Sequence, residues 1–350
     1  MLVMFSFTDN SCMWRILFKI SACLAFLIWS QVASANDRHV TDRLIATIAF
    51  GSCANQDLPQ PIWEDVLEKR PEVFAFLGDN IYAMQFSREA AAAAYAKLNS
   101  VAAFAALRRS ALILPVWDDN DYGSPDGGRE HPQKLEAKEL FLDFFEVPSH
   151  DRRRMREGVY FSKTLGPPGQ QVQFIMLDTR YFRDPLLSDG HAYRPNLDRN
   201  ATLLGSAQWR WLKAELKEPA AVRVIASSIQ VIPDEHRFEK WGNFPHERER
   251  LLNLIDRSSS GTSIIISGDR HHAEVSRLQL SKRTLYEITS SALNMTREDG
   301  AESNRFRVGE RYMRPNFGML SIDWSAVGPS ISARIIGHGH GVVLSEQLQP

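Results

Sequence analysis

Short apolar runs that end in polar, turn-forming residues recur along this chain. The run 45–50 leads into Gly51-Ser52-Cys53, 73–77 into Gly78-Asp79-Asn80, and 112–117 into Asp118-Asp119-Asn120. Further on, 172–177 leads into Asp178-Thr179-Arg180, 222–226 into Ser227-Ser228, and 264–266 into Ser267-Gly268-Asp269. None alternates cleanly between apolar and polar, which predicts strands buried on both faces. Helical patterns lie between several of them, at 61–69, 87–109 (Ala-rich), 135–146, 206–216 and 244–255. Strands alternating with helices predict an α/β fold. The tail differs: 283–288, 319–324 and 330–336 read as consecutive strands, a second sheet or the antiparallel edge of a mixed one. No repeat or linker divides the chain, and Gly166-Pro167-Pro168-Gly169 reads as a turn.

The first residues follow another pattern. Arg15 and Lys19 precede an apolar stretch at 20–29, and Ala33-Ser34-Ala35 is a small-x-small cleavage signal. The stretch is short for a membrane span of about 20 residues. These features predict a Sec-type signal peptide over 1–35, without a twin-arginine pair, and a mature domain over 36–350. Met13 is an alternative start, because Asp9 and Asn10 suit such a leader poorly. The expected location is the periplasm or the medium, with no membrane span after cleavage.

Composition narrows the classes. Lys and Arg total 41 against 42 Asp and Glu, so no basic nucleic-acid-binding patch is expected. The chain is 44% hydrophobic, enough for a full core, and a monomer is expected. Of the three cysteines, cleavage would remove Cys12 and Cys23 and leave Cys53 alone in an oxidising compartment. A lone thiol there is either buried and inert or bound to something.

Its neighbours bear on that choice. In open α/β sheets, ligands bind beyond the C-terminal ends of the strands. The predicted strand ends carry Cys53, Asp79, Asn80, Asp118, Asp119, Asn120, Asp178, Arg180, Asp269, His271 and His272. Singly, each has an ordinary explanation as a turn, a cap or a solvated pair. Together they make a site with oxygen ligands suited to hard cations and a thiolate and imidazole suited to iron or zinc. A mixed set of this kind suggests two inequivalent metals, the usual device for phosphoester cleavage.

At these residues the chain resembles the alkaline phosphatase D (PhoD-like) branch of the metallophosphoesterases. The resemblance rests on Phe-Gly-Ser-Cys at 50–53, Phe-Leu-Gly-Asp-Asn-Ile-Tyr at 76–82 and Trp-Asp-Asp-Asn-Asp-Tyr-Gly at 117–123. Leu-Asp-Thr-Arg-Tyr at 177–181, Leu-Gly-Ser-Ala-Gln-Trp-Arg-Trp-Leu at 204–212, Ser-Gly-Asp-Arg-His at 267–271 and Glu-Ile-Thr-Ser-Ser at 287–291 extend it. Asn316-Phe317-Gly318 carries it toward the C-terminus.

The resemblance implies a four-layer α/β/β/α sandwich with its metal site at the strand C-terminal ends. It implies a ferric ion on Cys53 and Tyr82, a bridging Asp79, and metal roles for Asp269 and His271. Calcium is implied at the second position, with zinc, manganese or magnesium as alternatives. A phenolate at Tyr82 fits iron(III), because a group with a pKa near 10 binds well only to a strong Lewis acid. The implied activity is a secreted phosphomonoesterase or phosphodiesterase using a metal-activated hydroxide at a mixed-metal site.

Residue chemistry adds detail. Asp118 and Asp119 both fall near the site, with Asp119 taken as ligand and catalytic group. Arg180 suits bidentate phosphate binding, or else pairs with Asp178 or Asp119. His271 and Asn120 complete the catalytic set, and Asn120 also joins Arg180 as a substrate-binding group. Asn120 departs from the family pattern, which has His there. Just downstream, Pro125-Asp126 replaces the Asn pair or Asn-Asp common in relatives. An amide cannot shuttle a proton as His does near neutral pH. Asn120 is therefore a neutral ligand, or a mark of weakened catalysis. This leaves two other readings: a metal- or phosphoester-binding relative with reduced catalysis, and a phospholipase-type enzyme acting on lipid or polymer phosphodiesters. Trp241, Phe244 and Pro245 read as a structural loop, Arg152–Arg154 as a solvated run, and His338 and His340 as part of a flexible exposed tail.

Overall fold

The computed structural model describes residues 43–83, 86–258, 261–297, 302–325 and 327–349. The predicted leader over 1–35, with Cys12 and Cys23, lies outside these residues. The helices are α1 (Ile62–Glu68), α2 (Arg88–Asn99), α3 (Ala102–Ser110), α4 (Asp119–Tyr122), α5 (Lys134–Phe144), α6 (Arg152–Met155), α7 (Gly205–Glu215) and α8 (Pro245–Arg257). The first strands are β1 (Thr47–Gly51), β2 (Val73–Leu77), β3 (Leu112–Val116), β4 (Phe161–Leu165), β5 (Val172–Met176), β6 (Leu187–Ser188), β7 (Tyr193–Arg194) and β8 (Val222–Ser227). The remainder are β9 (Thr262–Ser267), β10 (Ala273–Gln279), β11 (Thr284–Ser290), β12 (Arg307–Tyr312), β13 (Asn316–Ser325), β14 (Gly328–Gly337) and β15 (Gly341–Leu348).

Two sheets form the centre, one ordered β15-β14-β13-β1-β2-β3 and the other β12-β10-β11-β9-β8-β5-β4. β1, β2 and β3 run parallel, as do β5, β8, β9 and β11, while β13, β14 and β15 add antiparallel partners. Side-chain alternation shows how the layers close. Val73, Ala75 and Leu77 of β2 face the second sheet, where they meet the same core as Val222, Val224 and Ala226. Phe74 and Phe76 point the other way, onto Trp63 and Phe104 of the helices. Trp63 meets Phe74 and Phe76 edge-on at 5.4 and 5.7 Å, each contact adding about 0.5–1.5 kcal/mol beyond area burial. Ile225 and Ile265 pack outward on Trp209 and Leu251. Burial on both sides is why these strands read as unbroken apolar runs. The result is the expected α/β/β/α sandwich.

Some elements differ from the sequence reading. The helix expected over 87–109 is two helices, α2 and α3, bent by 79° at Ser100-Val101. The Ser100 hydroxyl donates to the Lys97 carbonyl there, which competes with helix continuation. The tail is an ordered hairpin, not flexible: His338 Nδ1 lies 2.5 Å from Asp65, and His340 meets Arg314, at the β14–β15 turn. The arginine run is anchored as well. Arg153 pairs with Asp151 and covers Phe161, and Arg154 donates to the Val147 and Leu142 carbonyls. Among the described residues no single helix is long and apolar enough to cross a membrane.

Candidate functional site

The loops leaving β1, β2, β3 and β9 converge on one edge of the sandwich. Cys53 N donates to the Gly78 carbonyl and Ala54 N to that of Asp79, which ties the first two loops together. At Gly78 (φ +97°) a Cβ would lie 2.4 Å from Cβ of Asp118, so only glycine lets the second loop pack on the third. The chain then turns sharply. Cys53, Asp79, Asp269 and His271 all sit in the left-handed region, at φ +62°, +49°, +67° and +56°. Each such residue costs about 1–2 kcal/mol, and strain of this kind collects where side chains must be aimed.

The turns bring two ligand groups together. Sγ of Cys53, a carboxylate oxygen of Asp79 and a ring nitrogen of His271 lie within 4.8 Å of one another. One oxygen from each of Asp79, Asp118 and Asp119 does the same, so Asp79 belongs to both groups. Asp269 is in neither, but with Tyr82, Asn120 and His271 it lines the same cavity of about 480 Å³.

Second contacts set the ligands' orientation. The Ser291 hydroxyl lies 3.2 Å from Cys53 Sγ and accepts from His271 N at 2.8 Å. His271 Nδ1 faces the Met295 carbonyl at 2.8 Å, which makes Nδ1 the donor and frees Nε2 as a ligand. Asp121 is buried between the loops, where it accepts from Asn80 N, Asn80 Nδ2 and Asp118 N at 3.0, 2.9 and 3.0 Å. Burial pushes its carboxyl up to about 7 against these bonds. Nothing in the alternation of Asp118–Asp121 marks this residue as the scaffold.

The electrostatics fit a cation. Burial, then Asp79, pushes the Cys53 thiol well up, and burial, then Asp119, does the same to Asp79. Asp269 is raised by burial and then Asp118, and Tyr82 by burial and then Cys53. The Tyr82 hydroxyl, Asp118 Oδ2 and Asn120 Oδ1 are buried without hydrogen-bond partners. Orphaned acceptors beside repelling acids are costly unless positive charge joins them. His271 is pulled down to about 4 by burial and then Arg297, so it is neutral near pH 7, as a ligand must be. Sulfur, phenol, imidazole and carboxylate donors together make a set that can hold metal ions.

A family comparison decides the assignment. The PhoD-like phosphatase model matches residues 93–318. The chain belongs to the PhoD-like phosphatase family. The match includes Asp118, Asp119, Asp269 and His271, while Cys53, Asp79 and Tyr82 precede it. Alkaline phosphatase D of Bacillus subtilis (strain 168) is 29% identical over 137 residues, which cover 36% of this chain and 23% of that protein. Among solved structures, PhoD aligns with 88% of this chain and 72% of its own, with a TM-score of 0.66 at 18% identity. A purple acid phosphatase from yellow lupin (Lupinus luteus) seeds covers 87% of this chain and 53% of its own, with a TM-score of 0.61 at 12% identity. GAP50, described as the anchor in the inner membrane complex of Plasmodium, covers 88% and 89%, with a TM-score of 0.58 at 14% identity. At these identities the likeness establishes the fold, and a fold shared with an anchor does not itself supply an activity.

Within this PhoD-like framework one residue requires correction. Arg180 does not reach the cavity as a phosphate ligand. It is wholly buried, with Nε and Nη2 on Asp118 Oδ1 at 2.6 and 2.5 Å and Nη1 on Glu239 at 2.6 Å. Its side-chain partners are Asp118 and Glu239, not Asp178 or Asp119. Asp178 is a structural cap: Oδ1 accepts from Trp117 Nε1 and from Arg180 N and Tyr181 N. Asn120 stays at the site, its N donating to Asp79 Oδ1 and its Nδ2 to Asp119 Oδ1. His272 is buried behind the site beside Glu274, 3.8 Å away. Trp241 is core, its Nε1 donating to Ser227. The residues not singled out from sequence are Asp121, Glu239, Phe238, Arg270 and Arg297. Four of them, all but Asp121, sit in irregular loops, where no periodicity signals a direction.

Proposed function

We propose that the protein is a secreted or periplasmic phosphoric ester hydrolase working with two bound cations. The observation that carries this reading is the position of Asp79, shared by the Cys53–His271 group and the Asp118–Asp119 group. Family membership supports it. Cys53, Tyr82, Asp79 and His271 would hold the more Lewis-acidic ion, which we assign as ferric iron. Asp79, Asp118, Asp119 and the Asn120 amide oxygen would hold the second ion, which we assign as calcium. Asp269 lines the cavity beside them. Bound cations supply Lewis acidity that neutralises the phosphoryl oxygens and lowers the pKa of water.

The chain's own residues do the rest. Asp119 is held in place by Asn120 Nδ2 and Asp126 N. Arg180 fixes Asp118 and acts as a positioning residue. His271 is held neutral with its Nε2 presented to the cavity. Asn120 contributes an amide, which cannot pass a proton to the leaving group near neutral pH.

The test is hydrolysis of bis(4-nitrophenyl) phosphate before chelation, after it, and after reconstitution. Loss and recovery of turnover are expected, and inactivity with every metal would refute the reading. A binding-only relative has the Asn120 amide in its favour. Full metal occupancy without turnover, with activity appearing in Asn120→His, would select it instead.

A further inference from the structure

Three arginines converge on the ring of Phe238, which lines the cavity. The guanidinium carbons of Arg237, Arg270 and Arg297 lie 4.9, 4.4 and 5.6 Å from the centre of Phe238. Like charges gathered this way repel, and cation–π attraction at exposed positions returns only about 0.5–1 kcal/mol each. Arg270 is buried and meets Glu302 at 2.5 Å, a carboxylate that also lies 4.0 Å from Arg311. Arg237 and Arg297 are exposed.

Phe238, Arg270 and Arg297 line the same cavity as Asp79, Asp119 and His271. Arg180 is sequestered behind Asp118. Among the described residues lining the cavity, Arg270 and Arg297 therefore supply the side-chain cations. Asp126 and Glu239 also line it, as acids, so the charge is not uniformly positive. Arg297 is close enough to be the largest influence on His271 after burial. The positive group thus stands beside the proposed reaction centre and is separate from the ligands.

We propose that this arginine group binds a second negative charge on the substrate. The preferred phosphoester then carries an anionic group on the arm beyond the scissile phosphoryl. This rests on the phosphoesterase reading and adds the substrate class. A guanidinium fork matches carboxylate or phosphate oxygens in pairs, and an aromatic face holds its plane. A diester with neutral arms would use the cavity without engaging the arginines.

The test compares bis(4-nitrophenyl) phosphate with diesters in which one arm bears a 4-carboxylate or a 4-phosphonate. The two charged arms separate carboxylate from phosphate-type recognition. Exposed ion pairs contribute about 0.2–1 kcal/mol each, so a preference of about fivefold in kcat/KM for a charged arm is expected. Because Glu302 already pairs with Arg270, the ratio should fall toward one in the Arg237→Gln/Arg297→Gln double variant, and most of it should survive in the Arg237→Lys/Arg297→Lys double variant. Calorimetric binding of phenylphosphonate and 4-carboxyphenylphosphonate to the metal-loaded protein gives the same ratio without turnover. A protein that shows the binding preference but hydrolyses no diester refutes the phosphoesterase reading and supports the anion site. No charged-arm preference in the wild-type binding, or one that survives the Gln double variant, overturns the proposal.

Discussion

Arg180 and Asp118 meet with two guanidinium nitrogens on one carboxylate oxygen. Nε and Nη2 lie 2.6 and 2.5 Å from Oδ1, while Oδ2 has no hydrogen-bond partner. Ser228 donates to the same Oδ1 at 2.7 Å, and Nη1 of Arg180 reaches on to Glu239, which also pairs with Arg183. The carboxylate is thus gripped from behind with its other oxygen left available.

Breaking this grip should cost stability and turnover together. Arg180→Gln leaves Asp118 buried and unpaired, so the loss expected in urea denaturation is about 3–5 kcal/mol. Arg180→Lys keeps a charge but not the fork, and should fall between. Because Arg180 lies behind Asp118, kcat should drop while KM changes little. A large rise in KM at unchanged kcat would instead mean direct contact with phosphate.

Cys53 should be unreactive in the folded, metal-free chain. It is buried, and burial and Asp79 hold its thiol well above the ordinary range, so little thiolate is present at neutral pH. Titration with a disulfide reagent should be slow in buffer and immediate in denaturant. Fast reaction in buffer would contradict the buried placement.

Asn120→Ala removes a buried amide oxygen that has no other partner. Affinity for the proposed calcium ion, followed by competition with a chelator, should fall by about 10–100-fold, as for other losses around a metal site. Unchanged affinity would mean that the side-chain amide serves only its hydrogen bond to Asp119.

Glu287 gives a pH signature away from the ligands. Both its oxygens accept from Val231 N, and burial pushes its carboxyl up to about 7 from 4.5. A group raised in this way favours the protonated form when folded. Its contribution is fully present below pH 4.5 and is lost as pH rises through 7. Between pH 6 and 8.5 this one group should remove on the order of 1 kcal/mol. Glu287→Gln should flatten that decline in urea titrations at the two pH values. An identical decline in the variant would remove Glu287 from the account.

Much of this architecture was legible in the chain. Runs such as 73–77 and 222–226 are apolar throughout because each is covered on both faces, and the polar residues that follow mark where the strands end. Cys53, Asp79, Asp119 and His271 were therefore readable as neighbours. Strands with an exposed face were harder to see. β12 reads Arg-Val-Gly-Glu-Arg-Tyr and lies at a sheet edge, and β15 is largely exposed. The burial of Arg180 was also hidden, because a guanidinium after a strand end looks the same whether it faces a ligand or a carboxylate beneath it. The Phe238 group depends on three segments distant in sequence, and local pattern carries no sign of their meeting.

The shared position of Asp79 is tested most directly by metal content. Elemental analysis of purified protein should find about two metal ions per chain, as a two-metal site requires. Cys53→Ala should lose the iron and keep most of the calcium, whereas Asp79→Asn should lose both. Full occupancy of both metals in Asp79→Asn would contradict the account.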